Sequence, residues 1–396
     1  MSEISKVGTD LIYLVSCALN SKTPDIKLVE KMNLESVYSM AHFHSLTACI
    51  AMPLAECGLP DSPVMRKFKQ AKEKSIRKNI LLDNERNEIF SYMEKNGIWY
   101  LPLKGIILQE LYPKFGMRQM ADNDILYDSD RRADMIKYMK SRGYNVETDN
   151  TDCHDECVKP PVYNFELHTS LFGAMVDNKF LNYFMSIKDR LLTDNSKSFG
   201  KHLSDEDFYI YNIAHAYKHY SHSGTGLRTL ADCYVYWQKK GKILNESYIN
   251  AELEKLGISD FEYICRSLSL KLFSQNSEFD QSLLTDRECE YLDYFLNSGT
   301  YGTQRGLVKN RLTAMLTDGQ SNRFVKLRYF FRRIFLPLNE VQVAYPFYYR
   351  HKVLIPVLWI IRIFKALFFR RNKIKNEINI LNSTIADEKS SIDRSL

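Results

Sequence analysis

Three short segments decide the fold, with the sequences IWYLPLKGI (98–106), ADNDIL (121–126) and PVYNFELH (161–168). The apolar run 98–101 is β-branched and aromatic and predicts a buried strand. It leads to a turn at Gly105, because glycine adopts the dihedral angles of a tight turn at little steric cost. Apolar residues then recur at helical spacing until Pro113, which a helix cannot pass. The segment therefore predicts a strand, a turn, a short helix and a second strand.

The second predicted strand carries a pair of acidic residues, Asp122 and Asp124. Alternate residues of a strand share a face, so we expect the two carboxylates to point the same way and to require a cation. Oxygen ligands favour a hard ion, Mg²⁺ or Mn²⁺, whose coordination shell is often completed by substrate phosphates. A third carboxylate would allow two metal ions, one activating the attacking hydroxyl and one stabilising pyrophosphate. Glu166 on the following strand is the candidate, with Asp155 and Glu156 as alternatives.

These motifs occur in the order Leu103-Lys104-Gly105, Gly116-Met117-Arg118, Asp122-Asn123-Asp124-Ile125-Leu126 and Glu166-Leu167-His168. In this order they resemble the bacterial uncharacterised nucleotidyltransferase family of the DNA polymerase β-like superfamily. The resemblance implies an α+β fold, in which a small mixed β-sheet core is flanked by N-terminal and C-terminal helical regions. It also implies that Asp122, Asp124 and Glu166 bind Mg²⁺ and a nucleoside triphosphate. Most of the superfamily has Gly-Ser after the first strand, whereas this chain has Lys104-Gly105, and Lys104 would offer a charge to a phosphate.

Several further residues are candidates for substrate binding. Arg118 precedes the acidic pair and would contact a phosphate or form an ion pair with the acidic strand. His215 and His219 are four residues apart on a predicted helix, where they share a face. His219, or His222 just after it, would lie near the phosphate or acceptor. Alternatively, these histidines pack at the core interface, or His215 and His219 bind a transition metal whose other ligands are not evident. Arg228 and Asp232 have the same spacing and are expected to pair. The predicted substrate-binding residues are Lys104, Gly105, Arg118, His219 and Arg228.

The length of 396 residues exceeds what one hydrophobic core usually supports, so several regions are expected. Eight scattered cysteines without a secretory signal indicate a reducing, cytoplasmic location. Cys153 and Cys157 with His154 between them could hold a metal, but no second Cys/His pair follows at zinc spacing. The predicted regions are an N-terminal helical region (1–95), the nucleotidyltransferase core (96–200), a C-terminal helical domain (201–320), a basic aromatic amphipathic segment (321–375) and a polar, disordered tail (376–396).

The C-terminal segment carries a strong local charge. Residues 322–375 contain 13 Lys or Arg and one acid, Glu340, a net charge of +12 in a chain of +6, which leaves −6 elsewhere. Pro356, Arg362 and Lys365 interrupt its apolar stretch and disfavour a transmembrane helix. The alternatives are an in-plane helix on an anionic membrane, at its inner face, or a helix packed against the body. A nucleic-acid surface is less favoured, since no DNA-binding or RNA-binding module is recognisable.

The sequence therefore predicts a Mg²⁺-dependent nucleotidyltransferase that moves a nucleoside monophosphate from a nucleoside triphosphate to an acceptor and releases pyrophosphate. The acceptor is left open among a sugar, a lipid, a protein and RNA. One alternative is a catalytically silent nucleotide-binding or membrane-associated assembly protein on the same fold. Another is a toxin-like use of the fold, in which the nucleotide is transferred to a protein or tRNA.

Overall fold

The described chain forms two compact units. The computed structural model describes residues 4–148, 153–173, 178–274, 279–313, 322–369 and 376–381. The first unit extends to Tyr217 and includes Thr225–Thr300. The second unit consists of Lys218–Gly224 and the described residues from Tyr301 onward. The region boundaries predicted from the sequence remain predictions, and the tail beyond residue 381 lies outside the described residues.

A five-stranded mixed sheet lies in the first unit, with strand order β1-β2-β5-β4-β3. Strands β2 and β5 are parallel, and the other neighbouring pairs are antiparallel. Two further short strands pair as a separate ribbon. The strands are β1 (Tyr100–Pro102), β2 (Asn123–Tyr127), β3 (Asn145–Thr148), β4 (His154–Lys159), β5 (Tyr163–His168), β6 (Leu192–Thr193) and β7 (Lys201–His202).

Helices precede and follow the sheet, which confirms the predicted α+β class with its small mixed sheet and flanking helical regions. The helices up to α13 begin in the first unit, and the last residues of α9 belong to the second. The α-helices are α1 (Lys6–Leu19), α2 (Ile26–Val29), α3 (Leu34–Phe43), α4 (Thr47–Leu54), α5 (Pro63–Lys95), α6 (Gly105–Leu108), α7 (Arg132–Ser141), α8 (Asn178–Met185), α9 (Asp205–His222), α10 (Leu227–Lys240), α11 (Glu246–Leu256), α12 (Ser259–Phe273), α13 (Asp286–Ser298), α14 (Gln304–Thr313), α15 (Asn322–Ile334), α16 (Leu338–Ala344), α17 (Pro346–Arg350) and α18 (Ile355–Phe369).

The two faces of the sheet differ in chemistry because side chains alternate along each strand. One face packs into a buried core with helices α5 and α7, and its members include Leu82, Ile89, Ile125, Tyr127, Met135, Met139, Cys157, Phe165 and Leu167. The opposite face presents the residues in between, which include Asp124 on β2 and Glu166 and His168 on β5. The apolar alternation therefore places the charged residues on the face away from this core.

The polar composition and the two prolines of residues 148–161 predict a loop at the mouth of the site. This prediction is wrong in part, because β4 occupies residues 154–159. Residues 149–152 lie outside the described residues. The strand was missed because one of its core-facing positions is an acid. Asp155 is buried, and its carboxylate accepts hydrogen bonds from Arg132, with a distance of 2.8 Å between Asp155 Oδ2 and Arg132 Nε. A buried acid needs such a partner, and the local sequence does not reveal it.

Candidate functional site

Asp124 and Glu166 are neighbours across the parallel strands β2 and β5. Their shared register places both carboxylates on the same face of the sheet. Glu156 is the residue of β4 opposite Glu166 and lies on that face as well. Asp155 points to the other face and pairs with Arg132. Of the three candidates for the third carboxylate, Glu166 is the one in register with Asp124.

Lys104 forms the turn that brings a positive charge to Asp124. Its Nζ lies 2.5 Å from Asp124 Oδ1, and both side chains are largely buried. Burial alone would lower the pKa of Lys104, but the charge and hydrogen bond of Asp124, together with the nearby Tyr211 and Glu166, outweigh burial and raise it, so the ammonium stays charged. The left-handed residue of the turn is Lys104, with φ 46° and ψ −116°, whereas Gly105 already begins helix α6.

The predicted turn at Gly105 is therefore displaced by one residue, and Gly105 serves another purpose. A Cβ atom at this position would lie 2.5 Å from Nη1 of Arg118 and 3.0 Å from Cε of Met120. Glycine is needed here because the Arg118 side chain passes directly over the backbone.

Lys104 holds a backbone conformation that side chains disfavour, which costs about 1–3 kcal/mol. We expect Lys104→Gly to be more stable than Lys104→Ala by about 1 kcal/mol, because both variants lose the charge but only glycine relieves the backbone strain. The greater conformational entropy of glycine in the unfolded chain offsets part of this gain. Urea denaturation measures the difference. At the exposed Lys74 within helix α5, the same two substitutions should give the opposite order. Equal stability of the two Lys104 variants would contradict the claim that the backbone at this position is strained.

His168 is the second cation beside Asp124. Its Nε2 lies 2.9 Å from Asp124 Oδ1 and 3.4 Å from Glu166 Oε2. Burial lowers the pKa of His168, but hydrogen bonds with Asp124, Cys153 and Glu166 outweigh it and raise the pKa to about 10. For Asp124, burial raises the pKa, while Lys104 and His168 hold it well below its usual range. Asp124 is thus an ionised carboxylate between two cations.

Asp122 lies just before β2 and is partly exposed. Burial and the negative charges of Asp124 and Glu166 raise its pKa, and Lys104 and Arg228 partly counteract them. On helix α5, Lys78 donates to the carbonyl of Ala121, with 3.0 Å between Nζ and O. Its pKa is lowered by burial, against which the charge of Asp122 acts. Asp122 therefore lies among the acidic side chains of Asp124 and Glu166, and the positive charges of Lys104, Arg228 and Lys78 act on this group as well.

Two groups of potential metal ligands occur among the described residues, and His168 belongs to both. In each group the ligand atoms lie within 4.8 Å of one another. One group is Asp124, Glu166 and His168, and the other is Cys153, His154 and His168. Asp122 belongs to neither group.

Arg118 is engaged by an acid from helix α10. Its Nε lies 2.8 Å from Asp232 Oδ1 and its Nη2 lies 3.0 Å from Asp232 Oδ2, so the guanidinium binds the carboxylate in bidentate fashion. The hydroxyl of Tyr112 donates to the same carboxylate at 2.8 Å. The sequence predicted Arg228 as the partner of Asp232 and so missed Arg118. A phosphate contact by Arg118 stays a prediction.

Arg228 and His219 occupy different units. Arg228 Nη1 lies 3.4 Å from the carbonyl oxygen of Gln119, which follows Arg118. His219 is in the part of α9 that belongs to the second unit, and its carbonyl accepts hydrogen bonds from the amides of Ser223 and Gly224. Within the described parts of the chain, neither His215 nor His219 joins a group of three metal ligands. The substrate-binding roles of His219 and Arg228 stay predictions.

Three residues at the site, His168, Lys78 and Cys153, are not among the predicted site residues. His168 had a usable signal, because it follows Glu166 by two residues on a strand and must share its face. Lys78 is on a helix that precedes the sheet, and nothing in its local pattern indicates that it reaches Ala121. Cys153 approaches His168 only because β4 and β5 pair.

Comparison with known proteins agrees with this arrangement. A family model described as uncharacterised nucleotidyltransferase matches residues 30–274, more than half of the chain, including the whole five-stranded sheet. No curated protein and no solved structure matches significantly. The match supports nucleotidyl transfer as the general activity. The chain belongs to the uncharacterised nucleotidyltransferase family.

Proposed function

We propose that the protein is a Mg²⁺-dependent nucleotidyltransferase of the polymerase β-like type, which transfers a nucleoside monophosphate from a nucleoside triphosphate to an acceptor and releases pyrophosphate. The observation that carries the proposal is the register of Asp124 and Glu166 on adjacent parallel strands, with the ammonium of Lys104 at 2.5 Å from Asp124. Carboxylates and a lysine on one face of the sheet are suited to a metal-bound polyphosphate.

The residues fit a divalent cation. Asp122, Asp124 and Glu166 would hold it through oxygen atoms, the donors that Mg²⁺ and Mn²⁺ prefer. Burial and the negative charges of Asp124 and Glu166 raise the pKa of Asp122, and a bound cation would counteract both by stabilising the ionised carboxylate. When bound, the metal neutralises negative charge on the phosphates and on the departing pyrophosphate.

The side chains have different roles in the transfer. An acceptor hydroxyl oxygen attacks the α-phosphorus, and the bond from that phosphorus to the oxygen that leads to the β-phosphate breaks. Glu166 completes the metal site or takes the proton of the hydroxyl. Lys104 and Arg228 provide positive charge to the triphosphate, and charge moves onto the departing pyrophosphate. His168 donates from Nε2 to Asp124 and keeps that carboxylate oriented.

The acceptor and the nucleotide are identified by one assay. The full chain is incubated with Mg²⁺, a cell extract and each of the four labelled nucleoside triphosphates in turn, and the labelled macromolecule or metabolite is isolated. We expect label in one acceptor class and an equal amount of pyrophosphate. Triphosphate binding by calorimetry that needs no Mg²⁺ and releases no pyrophosphate would instead support the catalytically silent nucleotide-binding alternative.

The second unit favours an additional role at a membrane surface. On α18, Ile355 and Leu358 are buried in a small core with Val341. A different side of the same helix exposes Val357 (45%), Ile360 (66%), Phe364 (55%) and Phe368 (67%). These residues recur every three or four positions, so they form one apolar stripe. Within the described residues no helix has the length and apolar character that a membrane crossing requires. We infer that this stripe and the surrounding basic residues contact an anionic membrane peripherally.

Vesicle sedimentation tests the membrane contact. The full chain should bind vesicles that contain phosphatidylserine more strongly than neutral vesicles. Phe364→Asp should weaken binding about 10-fold or more, since one buried aromatic side chain contributes about 1.5–3 kcal/mol. Ile243→Asp is the matched control, because Ile243 is 69% exposed in the first unit. Equal binding of both variants and the parent chain would refute the contact.

A further inference from the structure

A thiol and two imidazoles meet at the end of the sheet where β4 begins and β5 ends. His154 of β4 and His168 of β5 are directly opposite in the antiparallel register, and Cys153 precedes His154. Cys153 and His168 are buried, and His154 is partly exposed. The sequence disfavoured zinc because no second Cys/His pair follows Cys153 at the usual spacing. Strand pairing instead supplies one further ligand, His168, from 15 residues away.

The distances within this cluster are close to those of a tetrahedral metal site. Cys153 Sγ lies 3.7 Å from His154 Nδ1 and 3.9 Å from His168 Nδ1. With metal–sulfur and metal–nitrogen bonds of about 2.3 and about 2.0–2.1 Å, tetrahedral geometry places sulfur and nitrogen about 3.5 Å apart. The two sulfur–nitrogen distances of 3.7 and 3.9 Å are within a few tenths of an ångström of this value, and all three ligand atoms lie within 4.8 Å of one another.

The other nitrogen of each imidazole faces a carboxylate. His168 Nε2 is 2.9 Å from Asp124 Oδ1, and His154 Nε2 is 3.8 Å from Glu166 Oε2. Histidines that bind metals commonly donate their second N–H to a carboxylate, which fixes the ring and strengthens the ligand. The orientation of both rings therefore suits metal binding through Nδ1 and carboxylate contact through Nε2.

We propose that Cys153, His154 and His168 form a transition-metal site for Zn²⁺ or a similar ion, next to the carboxylate site assigned to Mg²⁺. A thiolate and two imidazoles are soft and borderline ligands, which favour Zn²⁺ over Mg²⁺. Three protein ligands leave the fourth position to water or substrate. Binding releases the thiol proton of Cys153 and the Nδ1 proton of His168, while the Nε2 proton stays on the ring of His168 and is donated to Asp124. The proposal does not depend on nucleotidyl transfer.

Cobalt spectroscopy on the metal-free full chain tests the site. We expect one Co²⁺ ion per chain to produce a thiolate-to-cobalt charge-transfer band, which Zn²⁺ then removes by displacement. Cys153→Ser should lose the band. Cys157→Ser is the matched control, because Cys157 lies on β4 close to Cys153 but is buried in the hydrophobic core, and it should keep the band. A parent chain without the band, or a Cys153→Ser variant that keeps it, would overturn the proposal.

Further measurements separate metal binding from folding and from Mg²⁺ binding. Zn²⁺ should raise the unfolding temperature of the parent chain but not that of Cys153→Ser. If Cys153→Ser does not fold, His154→Gln at the partly exposed position replaces it. Glu166→Gln should weaken Zn²⁺ binding about 10–100-fold through the loss of the outer carboxylate. Excess Mg²⁺ should leave the cobalt band unchanged, and loss of the band would show one shared site and refute a separate one.

Discussion

Asp124→Asn is expected to lower pyrophosphate release by about 1,000-fold or more, near the upper end of what a single preorganised electrostatic group contributes. The substitution keeps the size of the side chain but removes the charge that would hold the metal and that pairs with Lys104 and His168. The rate is measured with saturating Mg²⁺ and nucleoside triphosphate. Calorimetry of triphosphate binding to the same variant separates a lost chemical step from lost binding.

The control for this variant is Asp130→Asn, a substitution of an exposed acid between β2 and α7. It should release pyrophosphate at the rate of the parent chain. Because Asp124→Asn leaves two buried cations with less compensation, its unfolding temperature is measured alongside. A folded Asp124→Asn variant with undiminished turnover would refute the assignment of Asp124, and with it the proposed metal site.

Asp232→Asn is expected to destabilise the first unit by about 3–5 kcal/mol. Asp232 accepts two hydrogen bonds from the Arg118 guanidinium, and the side chains of Arg118 and Asp232 are only 9% and 16% exposed. Removal of the acid leaves a buried positive charge without its counter-ion, which is costly in a poorly hydrated environment. The free energy of unfolding is obtained from urea denaturation followed by circular dichroism.

Two further variants serve as controls for the loss of stability in Asp232→Asn. Asp61→Asn breaks the exposed pair of Asp61 with Arg66 and should cost less than about 1 kcal/mol. The double variant Arg118→Met/Asp232→Leu replaces both charges with apolar groups and should recover most of the stability. If Asp232→Asn cost no more than Asp61→Asn, Arg118 would not depend on Asp232 for its burial.

The predicted order of strand, turn, helix and acidic strand agrees with β1, α6 and β2, because these elements depend on local apolar patterns and on Pro113. The prediction failed where a residue's structural role depends on a partner that is distant in the sequence. The polar residues of β4 indicated a loop, but Asp155 is buried against Arg132, so a polar position belongs to the core side of the strand. The turn was displaced by one residue because Gly105 is required by the passage of Arg118 rather than by its own dihedral angles.

By itself the sequence determined that Asp124 and Glu166 lie on strands and that the apolar residue next to each of them faces a core. The reason is that side-chain alternation along a strand depends only on neighbouring residues. Only the tertiary structure decided which charges meet. It pairs Lys104 with Asp124, joins Arg118 to Asp232 over 114 residues, and places Cys153 beside His168. The physical reason is that burial makes an unpaired charge costly, so each buried acid requires a cation, but the chain can supply that cation from any element that packs nearby.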